Sequence, residues 1–216
     1  MATYKTPGVY IEEVSNFPPS VVPVETAIPA FIGYTEKAMK QNGENLHMVP
    51  TKIRSLGEFE QWYGAAPPMT ANVYLDSDDQ VSLVAPVAQF YTFDSLRMFF
   101  DNGGGDCYII SIGKYQTAGI IKSPSKQDFL NGLSELEKVD EPTIILFPDA
   151  SLINKNTPNA IDLYDVQKAA LSQCNKLQDR VLVCDLKNDA GGSISELEGK
   201  VQEFRDNIGI NFLKYG

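Results

Sequence analysis

The residues that could perform chemistry are few in this chain, and they lie far apart in the sequence. The only histidine, His47, stands in a polar stretch between Gly43 and Pro50. Any cysteine–histidine or serine–histidine pair would have to use it, yet no local motif places a cysteine or serine beside it. A lone histidine in a polar loop is typical of a solvated side chain. The sequence therefore predicts no catalytic nucleophile, and we expect a protein that is not an enzyme.

Two glycine segments invite comparison with phosphate-binding loops. The run 103–105 follows a predicted helix instead of a strand, and it lacks the lysine and hydroxyl residue that phosphate loops place after their last glycine. We interpret it as a helix terminator. The segment 189–193 does follow a predicted strand and precede a helix, so an anion could bind there, but a plain connecting loop is the simpler interpretation. No cofactor is predicted.

The candidate metal ligands are also incomplete. The acidic residues of 76–79 begin with the spacing of a calcium loop, but the glycine turn is absent and Val87 stands where a glutamate is required. Cys174 and Cys184 have no histidine or second cysteine cluster near them, which argues against a zinc site. We expect no resident metal ion and, at most, adventitious calcium. Together with Cys107 these cysteines lie in apolar or helical patterns, so we expect buried, reduced thiols.

The amino-acid composition limits the classes of partner that the protein is expected to bind. The 28 acidic and 18 basic residues give a net charge of −10, which argues against binding to nucleic acid or to anionic membranes. No apolar run approaches the ~18 residues of a membrane-spanning helix. The first seven residues lack the apolar core of a signal peptide, so we expect assembly in the cytoplasm and no direct membrane insertion.

Apolar strands and amphipathic helices alternate along most of the chain. The Ser55–Glu58 pair has the spacing of a capping box and predicts a short helix that ends at Gly64. Further helices are predicted over 87–100, 125–136, 157–177 and 193–208, and strands over 27–34, 107–112, 143–147, 180–185 and 210–213. Residues 65–82 are predicted to be an irregular loop or small insertion. This order predicts an α/β fold, with a mixed, largely apolar sheet flanked by helices on both faces.

Residues 1–26 are expected to form an extended N-terminal arm, attached to a core domain of residues 27–216. Residues 6–14 have the pattern of a strand with no partner nearby in sequence, and the prolines after them prevent a tight hairpin turn. Pairing with the sheet of another subunit would satisfy the backbone of such a strand, although pairing with its own sheet remains an alternative. The predicted inter-subunit residues are Val9, Tyr10, Ile11, Glu12, Glu13 and Val14, and the predicted hinge residues are Pro18, Pro19 and Pro23.

Several sequence blocks, taken in order, closely resemble the tail sheath proteins of contractile phages and related injection systems. They are YKTPGVYIEE at 4–13, AFIGYT at 30–35, FFDNGGGDCYII at 99–110, PTIILFPD at 142–149, CNKLQDR at 174–180 and NFLKYG at 211–216. The resemblance spans essentially the whole chain. It implies a structural subunit that polymerises helically around an inner tube and contracts to drive that tube through a target envelope.

The resemblance also implies partners. These are other sheath subunits in helical rings, the inner tube protein, and baseplate and terminal cap proteins. Sheath proteins of this family usually continue beyond the tyrosine–glycine position at which this sequence stops, so by this resemblance we expect 27–216 to be the core domain without the usual C-terminal portion. The chain is then either the first part of a longer subunit or a naturally short sheath-like protein, such as a cap or terminator.

Two questions stay open at the level of sequence. The particle could be a phage tail, an extracellular injection system or a secretion machine, because all three use related sheaths. An alternative from another class is an α/β ligand-binding module, with its ligand at the carboxyl ends of the strands, around Asp149, Asp185 and Gly191.

Overall fold

A computed structural model describes residues 27–87, 89–153, 161–187 and 194–216. The predicted arm, with its pairing residues 9–14 and its three hinge prolines, lies outside these residues. So do the predicted helix start at 157–158 and the glycine-containing segment 189–193.

Within the described residues the chain forms nine strands and five α-helices. The strands are β1 (Pro29–Thr35), β2 (Thr51–Ile53), β3 (Thr70–Leu75), β4 (Val81–Val87), β5 (Cys107–Lys114), β6 (Gln116–Thr117), β7 (Ile120–Ile121), β8 (Ile144–Leu146) and β9 (Val181–Leu182). The helices are α1 (Leu56–Tyr63), α2 (Thr92–Asp101), α3 (Lys126–Leu136), α4 (Ile161–Leu177) and α5 (Ile194–Ile208).

Five of the strands form one mixed sheet in the order β2-β5-β1-β8-β9. β1 pairs in parallel with β5 on one side and with β8 on the other, and β8 pairs in parallel with β9. β2 pairs antiparallel to β5 and forms the opposite edge. The remaining strands form two small hairpins, β3–β4 and β6–β7.

The central strands are buried on both faces, as continuous apolar strands require. All seven residues of β1 are buried, and so are the first seven of β5. Ile32 of β1 lies in the cluster that includes α3 and α4, whereas its neighbour Phe31 lies in the cluster that includes α1 and α2. The predicted α/β fold, with helices on both faces of a mixed sheet, is confirmed.

The local sequence correctly predicts where α1 begins and where α2 ends. Ser55 caps α1, because its hydroxyl accepts a hydrogen bond from the backbone nitrogen of Glu58 at 3.2 Å. The Glu58 carboxylate reaches back to the backbone nitrogen of Arg54 at 2.8 Å, one residue before the position of a standard capping box. Gly103 follows α2 with a φ of +84°, and its N–H donates to the carbonyl of Phe100 at 3.0 Å. The glycine run therefore terminates a helix.

The segment around residue 80 differs from the prediction. Most of residues 65–82, expected to be irregular, belong to the β3–β4 hairpin, in which Thr70 pairs with Val87. The predicted helix start at Val87 is therefore wrong, since that residue ends β4 and α2 begins only at Thr92.

The C-terminal region also differs. Residues 210–213, expected to form a strand, do not pair with the sheet, and a short 3₁₀ helix (Leu213–Tyr215) packs against α4 instead. The helix predicted near 193–208 is present as α5. Its pattern predicts Leu197, Val201, Phe204 and Ile208 as core residues, but Leu197 is 45% exposed and only Ile208 is buried. The strand predicted over 180–185 is shorter in the structure, since only Val181–Leu182 pairs with β8.

Candidate functional site

The carboxyl ends of β1 and β8 are where an open α/β sheet of this topology would bind a ligand. From β1 the chain passes through α1 and α2 on one face of the sheet to reach β5, and from β8 it passes through α4 on the opposite face to reach β9. Ligands of open α/β sheets bind in the crevice that opens where the connections diverge in this way. If the protein were a ligand-binding module, its ligand would be expected in this crevice.

Asp149 occupies this crevice. Its side chain is completely buried. One carboxylate oxygen accepts hydrogen bonds from the backbone nitrogen of Tyr34 at 2.8 Å and from the hydroxyl of Thr92 at 2.7 Å. The other accepts from the backbone nitrogens of Thr92, at 3.0 Å, and of Tyr91. Both oxygens are therefore used by groups of the protein itself.

These hydrogen bonds make Asp149 the N-terminal cap of α2. Tyr91, the residue at the cap position, provides no side-chain hydrogen bond of its own. A carboxylate at this position satisfies backbone donors that the helix leaves unpaired and interacts favourably with the helix dipole. Burial raises the pKa of the Asp149 carboxyl, and the four hydrogen bonds oppose that rise.

Gly33 allows the close approach of β1 to this cap. A Cβ atom at this position would lie 1.9 Å from the Thr92 hydroxyl oxygen and 2.9 Å from Asp149 Oδ2. Both distances are too short for any side chain, so the strand can lie against the cap only because residue 33 is glycine.

Tyr34 continues the network on the other face of the sheet. Its hydroxyl donates to Asp128 Oδ2 at 2.7 Å and accepts from the backbone nitrogen of Ser125 at 3.0 Å. Lys122 pairs with the same Asp128 oxygen at 2.6 Å. Burial, together with the Asp128 hydrogen bond, raises the pKa of Tyr34, so the phenol stays neutral. Thus β1 is bonded to α2 through Asp149 and to the start of α3 through Tyr34.

Asp185, another residue of the ligand-binding alternative, takes no part in the hydrogen bonds of Asp149. Asp185 is exposed, and its backbone carbonyl accepts a hydrogen bond from Gln167 at 2.7 Å. Gly191 lies outside the described residues. A cleft of about 490 Å³ remains farther along this edge, between the end of β5 and the base of the β3–β4 hairpin. Its Glu36 carboxylate already accepts the backbone N–H of Ala65 at 2.7 Å.

The remaining candidate residues lie in a loop or a turn and take part in local hydrogen bonds. His47 is exposed, and its backbone nitrogen donates to Asn45 Oδ1 at 2.9 Å. Asp76 Oδ1 accepts the backbone nitrogens of Asp78 and Gln80, each at 2.9 Å, so it shapes the turn between β3 and β4. Among the described residues, no group of three or more histidine, cysteine or acidic side chains could hold a metal ion.

The three cysteines are free thiols. Cys107 and Cys174 are buried as predicted, whereas Cys184 is only half-buried. Burial raises the pKa of Cys107 to about 12 and the pKa of Cys174 and of Cys184 to about 11. At neutral pH all three are therefore protonated and poorly nucleophilic.

The capping role of Asp149 was not predicted from sequence. The sequence pattern identifies Asp149 only as a strand-end carboxylate, and helical periodicity places Thr92 inside a longer helix. The available signal is the pair Thr92 and Asp94, because a hydroxyl residue followed by an acidic residue is typical of a helix start.

The fold and this edge define an α/β protein whose carboxyl-edge crevice is closed by its own side chains. No helix in the described part of the chain has the length and apolar character needed to cross a membrane. No protein-family model matches the chain, and neither does any curated protein.

Among solved structures, the chain is similar to the helical sheath of the anti-feeding prophage in its contracted state, determined by cryo-electron microscopy. The two are 21% identical over 88% of this chain and 44% of the other, with a TM-score of 0.41. The chain thus spans less than half the length of that sheath chain. This similarity does not assign the chain to a family.

Proposed function

We propose that this protein is a structural subunit of a contractile sheath, which polymerises helically around an inner tube and contracts to drive the tube through a target envelope. One observation carries the proposal. Three of the sequence blocks that resemble sheath proteins, 30–35, 99–110 and 142–149, cover six of the seven residues of β1, the first half of β5 and all of β8, which are adjacent strands. The blocks are far apart in sequence, but their strands lie side by side at the centre of one sheet. The first and third blocks are also joined by the hydrogen bond from the backbone N–H of Tyr34 to Asp149.

The closed crevice supports a structural role over ligand binding. The Asp149 carboxylate that would face a ligand instead accepts four hydrogen bonds from β1 and α2. These hydrogen bonds tie the sheet to the start of α2. A sheath needs rigid bodies connected by compliant segments, so that contacts between subunits can rearrange without loss of the lattice.

The compliant segment in this proposal is the N-terminal arm. Residues 9–14 would add a strand to the sheet of a neighbouring subunit, and the three prolines at 18, 19 and 23 would set the reach of the connection. The partners are other copies of this subunit, the inner tube protein, and baseplate and cap proteins. Assembly takes place in the cytoplasm, as part of a phage tail or tail-like particle.

Electron microscopy of the protein produced with its genomic neighbours tests this function. We expect sheathed tubes with the full chain, and missing or shortened sheaths when residues 1–20 are deleted. A variant in which residues 9–14 are replaced by glycine and serine, at unchanged length, separates loss of pairing from loss of reach. An unchanged soluble monomer in every sample would contradict the sheath proposal and favour a ligand-binding module. Particles decorated only at the tube ends would instead indicate a cap or terminator.

A further inference from the structure

Asparagine is followed by glycine at three places in this chain, 42–43, 102–103 and 131–132. In such a pair the backbone nitrogen of the glycine can attack Cγ of the asparagine, because glycine has no side chain to hinder the approach. The rate of this attack depends on how the asparagine side chain is held, since the reacting atoms must first be brought into line. The fold holds the three asparagines in different ways.

The pair Asn42 and Gly43 lies in an exposed turn. The backbone nitrogen of Glu44 donates to Asn42 Oδ1 at 3.0 Å, and this Asx turn folds the side chain forward over the peptide bond between residues 42 and 43. The same hydrogen bond polarises the side-chain carbonyl, which makes Cγ a better target for a nucleophile. The turn therefore brings the reacting atoms together and activates the carbon that is attacked.

The other two asparagines are held away from this geometry. Asn102 Nδ2 donates to the carbonyl of Met98 at 2.7 Å, so its side chain is directed back over α2. Asn131 Oδ1 accepts from Gln127 Nε2 at 2.9 Å, one turn earlier in α3, and Gly132 is buried inside the same helix. At both places the side chain must leave its partner before it can meet the next backbone nitrogen.

The backbone nitrogen of the glycine is engaged to the same degree in the two pairs that lie outside helix interiors. The N–H of Gly43 donates to the carbonyl of Lys40, and the N–H of Gly103 donates to the carbonyl of Phe100, each at 3.0 Å. These bonds oppose the attack equally. The side-chain hydrogen bonds therefore decide which of the two pairs reacts faster.

We propose that Asn42 is a site of spontaneous deamidation, which converts it to aspartate and isoaspartate. A bond forms between the Gly43 nitrogen and Asn42 Cγ, the bond from Cγ to Nδ2 breaks, and the proton of the Gly43 amide leaves through solvent with Nδ2 as ammonia. Water then opens the succinimide ring. Cleavage between Cγ and the nitrogen gives aspartate, and cleavage between the main-chain carbonyl carbon and the nitrogen gives isoaspartate. The site does not depend on the proposed function.

Deamidation changes the contacts of this turn. Either product adds one negative charge to the net charge of −10. It also places a second carboxylate beside Glu44, to which Asn42 Nδ2 donates at 3.4 Å in the unmodified chain. The two carboxylates then compete for Lys40, which pairs with Glu44 at 3.1 Å and lies 5.5 Å from the centre of the Trp62 ring. Deamidation therefore weakens the contact between this turn and α1.

Peptide mapping by mass spectrometry tests the site. The full chain is kept at slightly alkaline pH, and the aspartate and isoaspartate formed at positions 42, 102 and 131 are measured over time. We expect severalfold faster conversion at 42 than at 102, and the slowest conversion at 131. In denaturant the three rates should become similar, because the fold no longer holds the side chains differently. Gly43→Ala should slow conversion at 42 by hindering the attack, whereas Gly103→Ala, at a glycine with the same φ of +84°, should leave that rate unchanged.

Conversion at 102 or 131 that equals or exceeds conversion at 42 in the native chain would overturn the assignment. The same holds if the native order of rates persists unchanged in denaturant, because the folded turn would then have no part in it. An unchanged rate at position 42 in Gly43→Ala would contradict ring closure through the backbone nitrogen. The comparison of the three positions uses the parent chain alone, so it stands whether or not the variants fold.

Discussion

Removal of the Asp149 carboxylate should strongly destabilise the fold, without any exposed surface being changed. Asp149→Ala leaves the backbone N–H groups of Tyr34, Tyr91 and Thr92 without their acceptor in a fully buried site. Each buried donor that loses its partner costs about 1–3 kcal/mol, and loss of a helix cap costs about 0.5–2 kcal/mol. Water entering the vacated space offsets part of this cost. We therefore expect a decrease of about 3–5 kcal/mol in the free energy of unfolding.

Asp149→Asn gives an intermediate case, because one oxygen can still accept the two N–H groups at the start of α2. Its NH₂ group then faces the N–H of Tyr34, so that backbone donor loses its acceptor, while the Thr92 hydroxyl can still accept from the NH₂ group; we expect a cost of about 1–3 kcal/mol. Urea unfolding followed by circular dichroism measures both variants, and the order Ala below Asn below parent is the expected result.

Asp94→Asn is the matched control. Asp94 lies in the first turn of the same helix, but it is 52% exposed and pairs with Arg97 at 3.0 Å, so its removal should cost less than about 1 kcal/mol. If Asp149→Ala were no more destabilising than Asp94→Asn, the carboxylate would not be holding this junction together.

Three further predictions concern Gly33, the Asp179–Arg180 pair and the thiols. Gly33→Ala should lower the free energy of unfolding by about 1–3 kcal/mol because its Cβ would overlap Thr92, whereas Gly105→Ala, with nothing within 4 Å of its Cβ, should be nearly neutral in the same urea assay. Asp179→Asn should destabilise the protein at pH 7, because the buried Arg180 guanidinium loses its bidentate partner. The hydrogen bond to Arg180 lowers the pKa of Asp179, so its stabilisation is present above the unfolded pKa and is lost as pH falls through the folded one. Unfolding curves of this variant and its parent should therefore converge below pH ~4, and a constant difference would contradict the pairing. The three thiols should react slowly with a disulfide reagent at pH 8 in the native protein and rapidly in denaturant, and fast native labelling would contradict their raised pKa.

The local sequence was sufficient to predict the strands at the centre of the fold. Continuous apolar runs predicted β1, β5 and β8, and the Ser55–Glu58 pair and the glycine run after α2 marked helix ends. These features depend on neighbours within a few residues, or on burial of an entire strand, and both leave a pattern in the sequence.

The errors arise where a distant contact decides the structure. The start of α2 is set by Asp149, which is 57 residues away from Thr92, so helical periodicity alone extended the helix back to Val87. The β3–β4 hairpin is not predicted, because the two prolines just before it, Pro67 and Pro68, and its acidic turn suggest an irregular loop. The last apolar residues suggested a strand, but Ile210 is 87% exposed and the segment after it turns onto α4 instead of reaching the edge of the sheet.

The position of β1 also has a mechanical consequence. The chain enters this strand at Pro29, directly after the predicted arm, and hydrogen bonds to β5 and β8 hold it from both sides. A pull on the arm along the axis of β1 would load these bonds in shear, all at the same time, whereas a pull across the strand would open them one after another. Asp149 and Gly33 anchor the far end of the same strand against the start of α2. β1 is thus placed to carry tension from the arm into the centre of the domain, and its rupture force under axial load should exceed that of the edge strand β9.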